Sequence, residues 1–237
     1  MKFLLIETAS SVCSVATATE EKIISLRENS EAQQHASLIT VFVDEVMKES
    51  GWTFRQAQSE NEPLSAVVVS AGPGSYTGLR IGVSTAKGIC YGANVPLIAI
   101  NTLEALATGF RERNAVTIHE PPTTICSLFD ARRDEVYYGM WNEKKEAIIK
   151  SQAAILNDDF RKAINSVGEK ISFVGNGAEK VKSFLMNDEN EYHSDFNPSS
   201  AFLLSLAVEK FNLKEFVDLA YFEPYYIKPF YFAEAKK

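Results

Sequence analysis

The stretch that decides the fold is AGPGSYTGLR, from Ala71 to Arg80. It contains three glycines and one serine between two regular patterns. The β-branched run at 66–70 comes before it and predicts a central strand. Apolar and small residues at helical spacing follow it over 77–91 and predict a helix. A strand, a glycine-rich loop and a helix in this order indicate an α/β protein.

The loop has two possible uses. Backbone N–H groups at the start of a helix can bind an anion. The spacing of the glycines, however, is neither that of a Walker A loop nor that of a dinucleotide fingerprint. A tight structural turn is the alternative for the loop, and a solvated turn is the alternative for Glu7. The candidate nucleotide or anion residues are Glu7, Thr8, Gly72, Gly74, Ser75 and Gly78.

On the N-terminal side of the loop, the patterns predict a β-meander followed by a helix. The apolar run at 3–6 indicates a buried strand, and 12–19 and 22–27 indicate two antiparallel partners. An amphipathic helix follows, because one apolar stripe repeats at helical spacing. The residues of this stripe are His35, Leu38, Ile39, Phe42, Val43, Val46 and Met47.

On the C-terminal side, strands and helices alternate. The turns at 69–78 and 174–178 both join a strand to a glycine-rich segment, which predicts two related lobes. We expect an N-terminal lobe over 1–105 and a smaller C-terminal lobe over 106–237, with a tail that could pack back on the first lobe. The other predicted elements are strands at 96–100, 123–129, 135–141 and 171–174, helices at 102–110, 158–165, 179–186 and 200–211, a short helix and loop at 53–62, and an irregular segment at 188–198.

Composition narrows the function classes. The chain has 237 residues, a net charge of −7 and 46% hydrophobic residues, as expected for a globular protein of one or two domains. Proteins that bind nucleic acid unaided usually have a basic face, and the sequence contains no long basic cluster that would form one. The N-terminal apolar run is too short for a signal peptide or a membrane span. A cytoplasmic protein is therefore expected.

The sequence does not predict a metal or disulfide framework. Cys13, Cys90 and Cys126 form no CxxC pair, so buried, reduced thiols are expected. The histidines, His35, His119 and His193, are too far apart for a helical metal pair.

The helix after the glycine loop is unusually rich in small residues. A glycine inside a helix costs about 1 kcal/mol relative to alanine, and it is tolerated where another element packs very close. That element could belong to the same domain or to a partner, and we expect Gly82→Leu to block such a partner. The predicted partner face consists of His35, Leu38, Ile39, Phe42 and Val46 on the first helix and Tyr76, Leu79, Arg80, Gly82, Val83, Ala86 and Cys90 on the second.

A dense run of charges lies between two predicted strands. The sequence from 130 to 137 is DARRDEVY. A salt-bridged turn is one interpretation. An anion site that uses Arg132 or Arg133 is the other.

The segment AGPGSYTGLRIG at 71–82, with TAKG at 85–88, resembles the signature of the TsaB (YeaZ) family. Further matches occur in the order that the family has them. The resemblance covers most of the chain and is weakest over about 144–222. The other matching segments are IETAS at 6–10, QHASL at 34–38, DARRDEVY at 130–137 and PYYIK at 224–228.

This resemblance implies a two-lobed fold of the actin/sugar kinase/Hsp70 type, with mixed sheets, flanking helices and a reduced second lobe. It implies a non-catalytic scaffold subunit that binds and activates TsaD, the catalytic paralogue, and that forms a homodimer when isolated. TsaE, an ATPase, joins the complex. The complex transfers threonylcarbamoyl to N6 of the adenosine beside the anticodon in tRNAs that decode codons beginning with A.

Further expectations follow from the resemblance. This chain has no cofactor of its own, although ATP or ADP could bind at the complex interface, and tRNA is reached only through the complex. TsaD holds its metal with a helical histidine pair that this chain lacks, so neither catalytic nor metal residues are assigned. The family's first turn usually begins with Asp, where this chain has Glu7. The alternatives are a nucleotide-dependent small-molecule kinase or peptidase that acts alone, and a homodimer without a partner.

Overall fold

The structure is a computed structural model that describes most of the chain. Most of the predicted segment 53–62, and His119, lie outside the described residues. Among the residues that are described, no helix is long and apolar enough to cross a bilayer. The described ranges are 1–31, 34–54, 64–117, 124–168, 170–187 and 189–228.

The first lobe is a mixed five-stranded sheet in the order β3-β2-β1-β4-β5. Strand β1 pairs antiparallel with β2 and parallel with β4. Helices α1 (His35–Glu49) and α2 (Tyr76–Ala93) pack on one face and form a core with the sheet. The predicted meander, central strand and two helices are confirmed. The strands are β1 (Lys2–Glu7), β2 (Cys13–Thr19), β3 (Ile23–Asn29), β4 (Ala66–Gly72) and β5 (Leu97–Asn101).

Helix α3 (Thr102–Thr117) joins the two lobes. The side chain of Asn101 caps it by accepting hydrogen bonds from the backbone N–H groups of Leu103 and Glu104. Its apolar side packs on the second lobe, in a cluster that includes Phe110 and Val174.

The second lobe repeats the connectivity of the first. Its sheet has the order β10-β9-β6-β7-β8, in which β6 pairs antiparallel with β7 and parallel with β9. Helices α4 (Asp158–Asn165) and α5 (Ala178–Leu185) form where they were predicted. The repeated topology confirms the two related lobes. The strands are β6 (Thr124–Asp130), β7 (Glu135–Trp141), β8 (Ala147–Ile155), β9 (Ile171–Val174) and β10 (Glu191–His193).

Three elements differ from the predictions. Strand β8 was not predicted, and β10 lies within the segment 188–198, which was predicted to be irregular. Both are edge strands, so partial exposure blurs their apolar pattern. The helix predicted over 200–211 is a 3₁₀ turn, Ser200–Leu203, followed by α6 (Leu204–Asn212).

The chain returns to the first lobe after β10. The 3₁₀ turn and α6 cover the face of the first sheet opposite α1 and α2, where Leu203 and Ala207 join a core with Phe3 and Ile100. The predicted range 106–237 therefore contains elements that pack on the first sheet. The domain limits themselves stay a prediction.

Candidate functional site

A cleft of about 940 Å³ lies between the lobes. The β1–β2 turn and the glycine loop form its first wall, and the β6–β7 turn and Asn176 form its second. The residues Tyr225 to Lys228 of the C-terminal segment line it as well. The lining side chains with a hydroxyl group are Ser10, Ser11, Ser75, Tyr76, Thr77, Tyr137, Tyr225 and Tyr226.

The glycine loop packs directly against the β1–β2 turn. A Cβ atom at Gly74 would collide with Ala9, and one at Gly78 would collide with the backbone oxygen of Thr8. The N–H of Ser75 donates to the Ala9 oxygen at 2.7 Å, and the N–H of Gly78 donates to the Ser75 hydroxyl at 3.2 Å. Close packing within the lobe therefore explains these glycines, and these two N–H groups are already used.

The second lobe contains a matching arrangement. Gly175 has a φ of +109°, close to the +108° of Gly72 at the equivalent place. A Cβ atom at Gly175 would collide with the backbone oxygen of Leu128. The side chain of Asn176 accepts a hydrogen bond from the Asp130 N–H at 2.9 Å. In each lobe, a glycine-rich turn thus packs closely against the first hairpin.

Glu7 and Thr8 lie beneath the cleft wall, closed off from it. Glu7 is only 1% exposed and accepts a hydrogen bond from the Ala9 N–H at 2.6 Å. Burial raises the pKa of this carboxyl to about 7, against opposing hydrogen bonds from Ala9, Ser70 and Thr8. The predicted contact of Glu7 and Thr8 with a ligand is not available in this arrangement, because both side chains hold the turn from inside.

The charged turn between β6 and β7 exposes two arginines at the cleft. Arg132 and Arg133 have φ values of +68° and +48°, which non-glycine residues seldom adopt. The nearby acids have other cationic partners: Asp130 pairs with Lys180 at 2.6 Å, and Glu135 pairs with Lys228. No ion-pair partner for either arginine occurs among the described residues. Two guanidinium groups therefore remain for an anion.

The same loop arrangement leaves only part of the predicted nucleotide set at the cleft. Gly74 and Ser75 line it. Gly72 and Gly78 are buried, and the N–H of Gly72 donates to the Thr102 hydroxyl at 3.0 Å.

Most of the predicted partner face is core of the monomer. The apolar stripes of α1 and α2 point at the sheet, and His35 also contacts the Val12 oxygen through Nε2 at 3.2 Å. A Cβ atom at Gly82 would collide with the hydroxyl of Thr8. These residues cannot contact a partner, and Gly82→Leu would damage the fold. The corrected set is His35, Ile39, Val46, Leu79, Gly82, Val83, Ala86 and Cys90.

The outer surface of the two helices is different. Of the predicted face, Leu38, Phe42 and Tyr76 are half-buried and Arg80 is exposed. The α2 side that points away from the sheet was missed. A Cβ atom at Gly88 or Gly92 would meet nothing within 4 Å. The signal in the sequence was Gly88, a mid-helix glycine that lies off the apolar stripe of α2. The missed surface residues are Val41 on α1 and, on α2, Thr77, Ile81, Ser84, Gly88, Tyr91 and Gly92.

The sequence matches one family model and several relatives that have the same name. A family model described as TsaD: tRNA N6-adenosine threonylcarbamoyltransferase matches residues 22–221, most of the chain. The tRNA threonylcarbamoyladenosine biosynthesis protein TsaB of Haemophilus influenzae is 27% identical over 96% of this chain and 94% of its own length. The protein of the same name from Escherichia coli K12 is 30% identical over 64% of each chain.

The chain belongs to the TsaB (YeaZ) branch of the TsaD family. A solved structure, YeaZ from Pseudomonas aeruginosa, superposes with a TM-score of 0.76 at 21% identity and covers 95% of this chain and 99% of that one. The predicted actin/sugar kinase/Hsp70-like α/β fold is thus confirmed.

Two smaller predictions about this TsaB-family chain concern metal-binding side chains. Cys13, Cys90 and Cys126 are free and buried, as predicted. Burial raises the pKa of the Cys13 thiol to about 11 and that of Cys90 to about 12, so both thiols stay protonated. In the part of the chain that the structure describes, no three His, Cys, Asp or Glu side chains form a metal-binding group.

Proposed function

We propose that this TsaB-family chain is a non-catalytic subunit in tRNA threonylcarbamoyladenosine biosynthesis. It acts in the cytoplasm and binds TsaD, which it holds in an active arrangement for threonylcarbamoyl transfer to tRNA. TsaE joins this pair, and tRNA reaches the chain only through the complex. In isolation the same surface forms a homodimer. The names of the relatives support the pathway, and the outer surface of α1 and α2 supports the docking role.

One observation argues most strongly for docking through α2. Gly88 lies inside an exposed helix surface with open space around it. A glycine here costs about 1 kcal/mol of helix stability, and no neighbour within the described chain requires it. A second helix that packs closely would require it, since small residues allow two helix backbones to approach. Ser84 and Thr77 continue the small-residue surface toward the start of α2.

Apolar side chains around this surface add the driving force. Val41 is 47% exposed and Tyr91 is 85% exposed. Leu38, Ile81 and Ile89 are partly exposed at its edges. Apolar burial contributes roughly 25 cal/mol per Å², so an interface of standard size, about 1,600 Å² in total, supplies ample driving force.

The decisive experiment titrates TsaD with the purified chain and its Gly88→Leu variant. The added side chain would occupy the space that the partner helix needs, so we expect affinity to fall by at least about 30-fold, the effect of a 2 kcal/mol hot spot. Ser183→Leu is the matched control, because Ser183 is exposed on α5 in the second lobe.

Thermal melts of the free proteins must accompany the titration. We expect the diluted, monomeric Gly88→Leu variant to melt no lower than the native chain at the same dilution, since leucine is the better helix former. Unchanged affinity for TsaD in a folded Gly88→Leu variant would refute docking through this surface. An equal loss in Ser183→Leu would do the same.

The cleft supports a second proposal, which concerns ATP or ADP. Arg132 and Arg133 face the cleft without acidic partners among the described residues, and hydroxyl groups line the opposite wall. Such a site fits the phosphates of a nucleotide held at the interface of the complex. We propose that the nucleotide binds here without being turned over by this chain.

Calorimetric titration with ATP, in the presence of TsaD, tests this second proposal. We expect Arg133→Ala to weaken binding at least about tenfold, as loss of one charge-assisted contact would. Lys162→Ala, which removes one charge from an exposed position on α4, should bind ATP normally. Robust ATP turnover by the isolated chain, abolished in Arg133→Ala, would instead favour the alternative of an independent kinase or peptidase.

A further inference from the structure

The C-terminal segment from 217 to 228, here called the strap, runs along α2 toward the cleft. It begins at the edge of the first sheet, where the Val217 N–H donates to the Leu97 oxygen at 3.0 Å. Lys87 of α2 then holds it, because its ammonium donates to the backbone oxygens of Ala220 at 3.2 Å and Phe222 at 3.1 Å. This part of the strap belongs structurally to the first lobe.

The end of the strap lies across the cleft. The Tyr225 N–H donates to the Ala71 oxygen at 2.6 Å, at the end of β4. The ring of Tyr226 packs on the ring of Tyr76 with centroids 4.7 Å apart. Lys228 then forms an ion pair with Glu135 on β7, in the second lobe. The strap therefore contacts both walls.

The ion pair between Lys228 and Glu135 is partly shielded from solvent. The side chains of Lys228 and Glu135 are 24% and 30% exposed, so the pair is partly shielded from water. Burial, and to a lesser extent the positive charge of Arg133, lower the pKa of the Lys228 ammonium. The carboxylate of Glu135 supplies an opposing negative charge beside this ammonium. Without Glu135, Lys228 would lie in a shielded, cationic environment, and it would move toward water.

Gly72, at the end of β4, leaves the space that the strap occupies. Gly72 has a φ of +108°, and the Tyr225 oxygen lies 2.7 Å from the point where a Cβ atom would be. Any larger residue at Gly72 would push the strap away from the strand end. The backbone of the first lobe is thus shaped to receive this segment.

We propose that the strap fastens the two lobes together and holds the cleft at its present width, with the Lys228–Glu135 ion pair as the fastening on the second lobe. Helix α3 joins the lobes elsewhere, through contacts that include the Ser127 hydroxyl to the Leu103 oxygen at 2.6 Å. When the ion pair breaks, the lobes separate around α3. This device is a property of the chain alone and needs neither TsaD nor a nucleotide.

Distances between two spin labels measure the separation. Glu21→Cys between β2 and β3 and Lys162→Cys on α4 place one label on the exposed surface of each lobe, outside α1 and α2. The native cysteines are buried and should remain unlabelled. In the full-length chain, we expect Lys228→Met to raise the ratio of long to short distances about fivefold, which is the effect of one partly exposed ion pair.

Two further variants make the test specific. The charge-reversed pair, Lys228→Glu with Glu135→Lys, should restore the native distance distribution. Lys170→Met is the matched control, because Lys170 pairs with Glu191 within the second lobe at 2.7 Å. An unchanged distribution in Lys228→Met would overturn the proposal. So would an equal change in Lys170→Met, or a charge reversal that fails to restore the native distances.

Discussion

The inner and outer surfaces of α2 present the same kind of residue for opposite reasons. Gly82 faces the sheet, where the hydroxyl of Thr8 occupies the space that a side chain would need. Gly88 lies less than two turns later and faces outward, with open space around it. The first glycine is explained within the monomer, and the second is not. The contrast teaches that a residue unexplained by its own core is a better marker of a docking surface than an apolar stripe.

The largest expected effect follows from filling the inner position. Gly82→Leu would force Thr8 and the β1–β2 turn away from α2. We expect it to lower the free energy of unfolding by at least about 3 kcal/mol, at the upper end of overpacking costs. Urea titration measures this loss. Gly88→Leu is the control with the same added side chain, and equal destabilisation by both variants would remove the distinction between the surfaces.

The second-largest expected effect is on the pH dependence of stability, and it comes from Glu7, which lies beside Thr8 beneath the cleft wall. Because burial raises the pKa of its carboxyl to about 7, the folded state binds its proton more tightly than the unfolded state does. Its contribution to stability is thus complete below about pH 4.5 and is lost as the pH rises through 7. Glu7→Gln should remove up to about 3 kcal/mol of this pH dependence.

Chemical unfolding of both proteins at several pH values between 4.5 and 8 provides the measurement for Glu7. Other carboxyl groups cancel in the difference between the native chain and the variant. Parallel pH profiles for the two proteins would mean that the carboxyl is not buried as the structure has it.

The smallest expected effect concerns Gly88, on the outer surface of α2. Gly88→Ala should raise the free energy of unfolding by up to about 1 kcal/mol, since alanine favours the helix and open space receives its methyl group. Thermal melts of the two proteins, diluted until they are monomeric, provide the measurement. A loss of stability instead would show that Gly88 is already covered within the isolated monomer.

Local patterns in the sequence were sufficient for much of the fold. The β-branched run of β4, the glycine turns of both lobes and the stripe of α1 each follow from side-chain periodicity and turn chemistry. Strand β8 was missed because an edge strand buries little of its surface.

The site was less accessible to prediction from the sequence. An apolar stripe on a helix shows which residues are buried, but not whether the same chain or a partner covers them. Val46 and Ala86 were therefore assigned to a partner, although the first sheet covers them. The cleft was harder still, because Arg133 and Lys228 meet only through the tertiary fold. Gly88, a mid-helix glycine that helical spacing places off the apolar stripe of α2, could have corrected the partner face in advance.

Hydroxyl-radical footprinting with and without TsaD tests the docking surface most directly. Tyr91 on α2 and Met186 at the end of α5 are each 85% exposed, so both react freely once the isolated chain is diluted until it is monomeric. Binding of TsaD over the outer surface of α2 should reduce the oxidation of Tyr91 severalfold and leave that of Met186 unchanged. Undiminished oxidation of Tyr91 in a saturated complex would contradict the account.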